Sequence, residues 1–102
     1  MSKNPILQIL KEHYGLFSEL YKKVLRYLIW LFQNKTHVFP SKARIAWKIK
    51  GSVKTVGNAL KLFKGLGILD WKNRGAHSNL YLMDDFFRQI ELEKIDEILT
   101  NF

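Results

Sequence analysis

Apolar positions follow helical spacing over most of this chain and strand spacing over one short stretch. Ile6, Leu7, Ile9, Leu10 and Tyr14 follow Asn4-Pro5. Asn is a good cap, and Pro at the first helical position forfeits no needed N–H, so a short helix is predicted over 4–14, ended by Gly15. Ser18 caps a longer helix to about residue 33, with Leu20, Val24, Tyr27, Leu28 and Leu31 as its core face. Leu25, Ile29 and Phe32 lie on a neighbouring face, so burial on more than one side is expected; Lys22, Lys23 and Arg26 form a solvated edge.

Pro40 biases Phe39 away from helix. Ser41 then caps a short helix through Lys48, with Ile45, Ala46 and Ile49 inward, and Gly51 breaks it. Ser52 caps the next helix, from 53 to about 66, with Val56, Ala59, Leu60 and Phe63 inward and Gly67 as the left-handed residue that closes it. Residues 68–71 and 79–83 suit strands around a polar loop over 72–78 centred on Gly75, which predicts a β-hairpin. Asp84 or Asp85 caps a last helix, over 85–100, whose stripe is Leu92, Ile95, Leu99 and Phe102. That stripe is placed to pack on the first helix or on a second copy of the chain, so a homodimer through the terminal helices is one expectation.

The order of these elements, together with Phe39-Pro40-Ser41, Ile45-Ala46, Gly51-Ser52, Thr55-Val56, Leu60, Leu66-Gly67-Ile68-Leu69, Asn79 and Tyr81, resembles one family. It is that of the winged helix-turn-helix domains found in phage and plasmid replication proteins and small bacterial regulators. In that family a Pro-Ser precedes the first motif helix, Ser-x-x-Thr-Val opens the recognition helix, Leu-Gly-Ile/Leu leads to the wing and Asn-x-Tyr marks the return strand. The resemblance covers about residues 18–83. It implies a mainly α fold with a small β-hairpin, a winged helix-turn-helix with extra N- and C-terminal helices; the length of 102 residues predicts one domain, spanning 1–102. Lys54, Gly57 and Asn58 stand where the family often has more Arg and Gln, so no base preference carries over.

Charge sharpens this reading. The formal net charge is +8, which favours an acidic partner, either nucleic acid or an anionic membrane surface. It is unevenly spread. Residues 36–79 hold nine basic side chains (Lys42, Arg44, Lys48, Lys50, Lys54, Lys61, Lys64, Lys72, Arg74) against Asp70 alone, whereas residues 80–102 hold two basic and six acidic ones. On the helix from Val53, Lys54, Asn58 and Lys61 fall opposite the apolar face, flanked by Thr55 and Gly57. That suits a helix lying in the major groove, with Asn58 able to grip adenine and Lys54 guanine, while Ser52 and Thr55 near the helix start suit phosphate. Gly57 either leaves room for the groove or allows close packing inside the protein. Lys42, Arg44, Lys48 and Lys50 suit phosphate contacts around the turn. Lys72, Arg74 and His77 sit on the expected hairpin loop, from which Arg74 can enter a minor groove.

Other chemistries find less support. Trp30, Trp47 and Trp71 are expected to pack in the core or at its rim rather than to serve as stacking platforms, Trp47 being the most open case. The three histidines lack metal-binding spacing, and no carboxylate pair, Ser-His-Asp set or Gly-rich phosphate loop can be assembled. No enzyme activity, metal or cofactor is therefore expected. The absence of cysteine excludes a disulfide framework and a catalytic thiol. The longest apolar run, residues 27–32, is far short of the about 20 residues that span a bilayer, and no signal peptide is expected. The expectation is sequence-specific binding of double-stranded DNA in the cytoplasm by a small transcriptional regulator or a replication-associated protein. The alternative is a protein-interaction adaptor of the same fold.

Overall fold

A computed structural model describes residues 5–34, 40–74 and 77–101, the side chains of 5, 7, 14, 73, 74, 77–79 and 99–101 excepted. The predicted Asn4 cap, Phe39 and Gly75 thus lie outside the described residues. The chain runs α1 (Pro5–His13), a 3₁₀ turn (Tyr14–Leu16), α2 (Glu19–Asn34), α3 (Lys42–Ile49) and α4 (Val53–Gly65). It continues with β1 (Leu69–Arg74), β2 (His77–Met83), α5 (Phe86–Gln89) and α6 (Leu92–Asn101). It is a mainly α fold with one small antiparallel hairpin, and its radius of gyration, 13.0 Å, is that of a compact chain of this length.

The starts of α2, α3 and α4 are each written in a hydroxyl. Ser18 Oγ accepts the N–H of Tyr21 at 3.2 Å, Ser41 Oγ that of Arg44 at 3.0 Å and Ser52 Oγ that of Thr55 at 3.1 Å. Each satisfies one of the four orphan donors of a first helical turn. The ends of α3 and α4 are closed alike, by paired backbone bonds around a left-handed residue. Gly67 (φ +80°) does this for α4, as its position predicts, with its N–H donating to Lys64 O and that of Ile68 donating to Phe63 O.

At the end of α3 the left-handed residue is Lys50 (φ 60°), one before Gly51. Gly51 serves by its size. A Cβ there would lie 3.3 Å from Ile49 Cδ1 and 3.5 Å from Leu20 Cδ1, so the missing side chain lets the turn press on α2.

α2 is the axis of the molecule, packing against α3, α4, α5 and α6. Its most buried residues are Val24, Leu25, Leu28, Ile29 and Phe32, whereas Leu20, Tyr27 and Leu31 are only partly covered. Burial thus centres on the seam between the two predicted faces, because helices pack against both. Around α2 the buried residues of the other elements form one cluster, including Leu10, Ile45, Val56, Leu60, Phe63, Ile68, Phe87 and Ile95. Phe63 sets its ring edge-on to Phe17 (5.2 Å) and Tyr21 (6.4 Å).

Two expected boundaries move. The hairpin is longer than predicted. Leu69, Asp70, Trp71 and Lys72 pair with Met83, Leu82, Tyr81 and Leu80, and after an irregularity Arg74 pairs with His77. A ladder needs only backbone groups, so it runs on through polar residues that read as loop.

The single C-terminal helix is instead two. Ile90 is extended (ψ 138°) between α5 and α6, and Asp85 makes no side-chain cap; Asp84 accepts from the Phe86 N–H at 2.8 Å. The break is held from α2, where the Gln33 amide donates to the carbonyls of Phe87 and Ile90. The described part of the last stripe packs within the chain. α6 packs on α1 and α2 and buries Ile95 and Ile98, with Leu92 partly covered; the Leu99 side chain and Phe102 lie outside the described residues.

Candidate nucleic-acid interface

α3, a three-residue turn and α4 carry the predicted site, and the hairpin docks beside α4. Val56, Ala59, Leu60 and Phe63 bury one side of α4. Lys54, Asn58 and Lys61 are exposed, with Thr55 and Gly57 half-buried at the flanks. At 3.6 residues per turn the exposed three centre opposite the buried four. α4 therefore offers a polar, cationic ridge whose back is fixed in the core.

Gly57 has a clear local reading. A Cβ added there meets no heavy atom within 4 Å. Close packing inside the described protein does not account for this glycine, although it gives up about 1 kcal/mol of helix propensity against alanine.

Ser52 and Thr55 are already engaged. Their hydroxyls lie 3.0 Å apart, and Ser52 Oγ also caps the helix. They shape the start of α4.

Lys42, Arg44, Lys48 and Lys50 are all exposed along α3 and the turn, as is Lys72 on β1. None of these five, nor Lys54 or Lys61, forms an ion pair with another described residue. Arg74 and His77 are strand residues paired across the hairpin, not loop residues; their side chains lie outside the described ones.

Lys64 drops out of the free cations of this segment. Its Nζ lies 3.5 Å from Asp70 Oδ1 and 4.4 Å from the centroid of the Trp71 ring. The Asp70 carboxyl is held below the usual carboxylate range, chiefly by the Trp71 N–H that donates to it at 2.8 Å. Slight desolvation opposes this, and the neighbouring Lys64 charge adds to it.

One residue was misjudged from sequence. Trp47, expected in the core or at its rim, is 77% exposed at the end of α3. It lines a shallow depression with Ala46, Lys48, Lys50 and Gly51. The signal was available: with Ile45, Ala46 and Ile49 inward, residue 47 falls on the far side of a helix. Trp30 is also more open than expected, whereas Trp71 is half-buried, edge-on to Tyr81.

Among the described residues no group of His, Asp or Glu could hold a metal ion, and no helix is long and apolar enough to cross a membrane. Most acidic residues lie on α6 and on the links either side of α5, away from the ridge in sequence; Asp96 of α6 binds Arg26 of α2 at 2.8 Å. Comparison with models of known protein families, with curated proteins and with solved structures found no match.

Proposed function

We propose that this chain is a winged helix-turn-helix domain that binds double-stranded DNA, with α4 as the recognition helix in the major groove. The observation that carries the reading is the outer face of α4. Lys54, Asn58 and Lys61 are exposed there without a described ion-pair partner, beside a glycine whose side-chain space is open. Cations held apart from carboxylates release counterions on meeting phosphate, which is the main source of affinity for DNA. Asn and Lys on a helix are also groups that read base edges in the major groove.

The turn and α3 bring Lys42, Arg44, Lys48 and Lys50 to the flanking phosphates, and exposed Trp47 packs against sugar between them. The hairpin is the wing, with Lys72 toward the adjacent backbone. The domain acts by occupancy, as a small transcriptional regulator or replication protein of phage or plasmid type, without catalysing a reaction.

The test begins with selection of bound sequences from a random duplex library, followed by titration of the selected duplex. Replacing Lys54, Asn58 and Lys61 together by Ala weakens binding by about tenfold or more on this reading. Replacing Lys42 and Arg44 instead lowers affinity for all duplexes alike and reduces the salt slope by about 2. Absence of duplex binding at low salt, or binding that survives the triple change, turns the assignment toward a protein-interaction adaptor.

A further inference from the structure

Away from the α4 ridge, a cleft of about 340 Å³ opens between α2 and the end of α3, lined by Lys23, Arg26, Tyr27, Trp30, Lys48 and Ile49. Its volume lies at the small end of ligand sites, which run from about 300 to 1,000 Å³. Tyr27 and Trp30, one helical turn apart, stack with ring planes 12° apart and centroids 6.4 Å apart. Trp30 nevertheless remains 42% exposed, while the adjacent Ile29 is fully buried. Stacking on Tyr27 thus leaves much of the indole uncovered.

The cations around the cleft are of two kinds. Arg26 is neutralised by Asp96, whose carboxylate oxygens lie 2.8 and 3.1 Å from its Nε. Lys23 and Lys48 are exposed and form no ion pair with a described residue. A pair of stacked rings, an apolar wall from Ile49 and two available ammonium groups match a planar ring system that carries an anion. Aromatic side chains accept nucleobases by stacking, whatever the base, and ammonium groups bind phosphate.

We propose that this cleft binds one nucleotide unit, its base stacked on Trp30 and its phosphate on Lys23 and Lys48. The unit comes either from a free mononucleotide or from an unpaired nucleotide of a nucleic-acid strand. Either source adds a second, non-duplex site to the one on α4. The two sites share Lys48, so Lys23 and Trp30 are the positions at which the cleft is tested alone.

The experiment follows the three indole N–H resonances of the full chain by NMR, assigned with single Trp→Phe variants. The probes are AMP, adenosine, inorganic phosphate and single-stranded octadeoxyadenylate. AMP should move the Trp30 resonance saturably, with adenosine and phosphate each about tenfold weaker or more, because each supplies half of the contact. Lys23→Ala should weaken AMP by about fivefold and Trp30→Ala, followed at the Lys48 backbone amide because its indole is gone, should remove the stacking-dependent affinity, with duplex binding through α4 kept in both. Lys23 is exposed, so its variant remains decisive if Trp30→Ala fails to fold. Octadeoxyadenylate binding more than about tenfold tighter than AMP assigns the site to a strand, and comparable affinities assign it to the free nucleotide. No saturable Trp30 shift with AMP or the octamer up to about 5 mM overturns the proposal, as does an AMP response unchanged by Lys23→Ala. Loss of duplex binding by the α4 triple variant with the AMP response intact separates this site from the proposed DNA interface.

Discussion

Gly57→Ala should make this protein more stable and a poorer DNA binder. The stability term follows from the structure. Gly57 lies within α4, and the added Cβ meets nothing within 4 Å, so it gains no packing and suffers no clash. What remains is helix propensity, about 0.8–1 kcal/mol in favour of Ala. In a domain of this size that raises Tm by about 4–8 °C. The binding term runs the other way. A helix with its side chains is about 10–12 Å across and the major groove about 12 Å wide, so a methyl group on the approaching flank has little slack. Displacing the helix enough to lose one good base contact removes about 1.4 kcal/mol or more, a tenfold loss.

Gly65→Ala is the matched control. It sits at the last residue of the same helix with equally open space, so it should gain some stability while leaving affinity unchanged. Thermal melts and fluorescence anisotropy with a selected duplex measure both quantities. A Gly57→Ala protein that melts higher and binds as tightly as the parent refutes the argument that this flank faces the groove. One that melts lower refutes the open space itself.

Other outcomes follow from single contacts. Gln33→Ala strands two carbonyls at the α5–α6 break and should cost about 1–3 kcal/mol in urea unfolding, with α6 losing hydrogen-exchange protection first. Phe63→Ala empties the centre of the cluster and should cost about 3–5 kcal/mol, enough to unfold much of a marginal domain, as circular dichroism would report. Asp70 has a folded pKa below its unfolded value of about 3.9, so the stability it adds is present above that value and is lost as pH falls through the lower folded pKa. Asp70→Asn should flatten this acid limb of a stability–pH curve, only slightly because the group is exposed. Arg26→Ala removes an exposed ion pair and should change stability by about 1 kcal/mol or less, a small step in the same urea titration.

Elements with local signals were readable from the chain, and those set by distant partners were not. Ser41, Ser52 and Gly67 announce helix ends because a cap is made within four residues of its own chain. The inward positions of α4 follow from spacing alone, and with them the outward Lys54, Asn58 and Lys61. Trp47 was misplaced because its bulk suggested the core while its helical phase pointed outward. The division at Ile90 has no local cause; it rests on an amide from Gln33, more than fifty residues earlier. The hairpin outran its prediction because backbone pairing does not require apolar side chains.

The sequence by itself determined the order of the elements from α2 through the hairpin, the serine caps of α2, α3 and α4, the buried side of α4 and the contrast between a basic middle and an acidic end. These depend on periodicity and on residues a turn apart, which the chain states directly. Tertiary structure decided which cations remain available, since Lys64 and Arg26 find carboxylates while Lys42, Lys48, Lys50, Lys54 and Lys61 find none among the described residues. It also decided that Gly51 is small for packing whereas Gly57 is not, and that Tyr27 and Trp30 meet Lys48 around one cleft. These are properties of the space between elements, and that space exists only once α2 has gathered its neighbours around it.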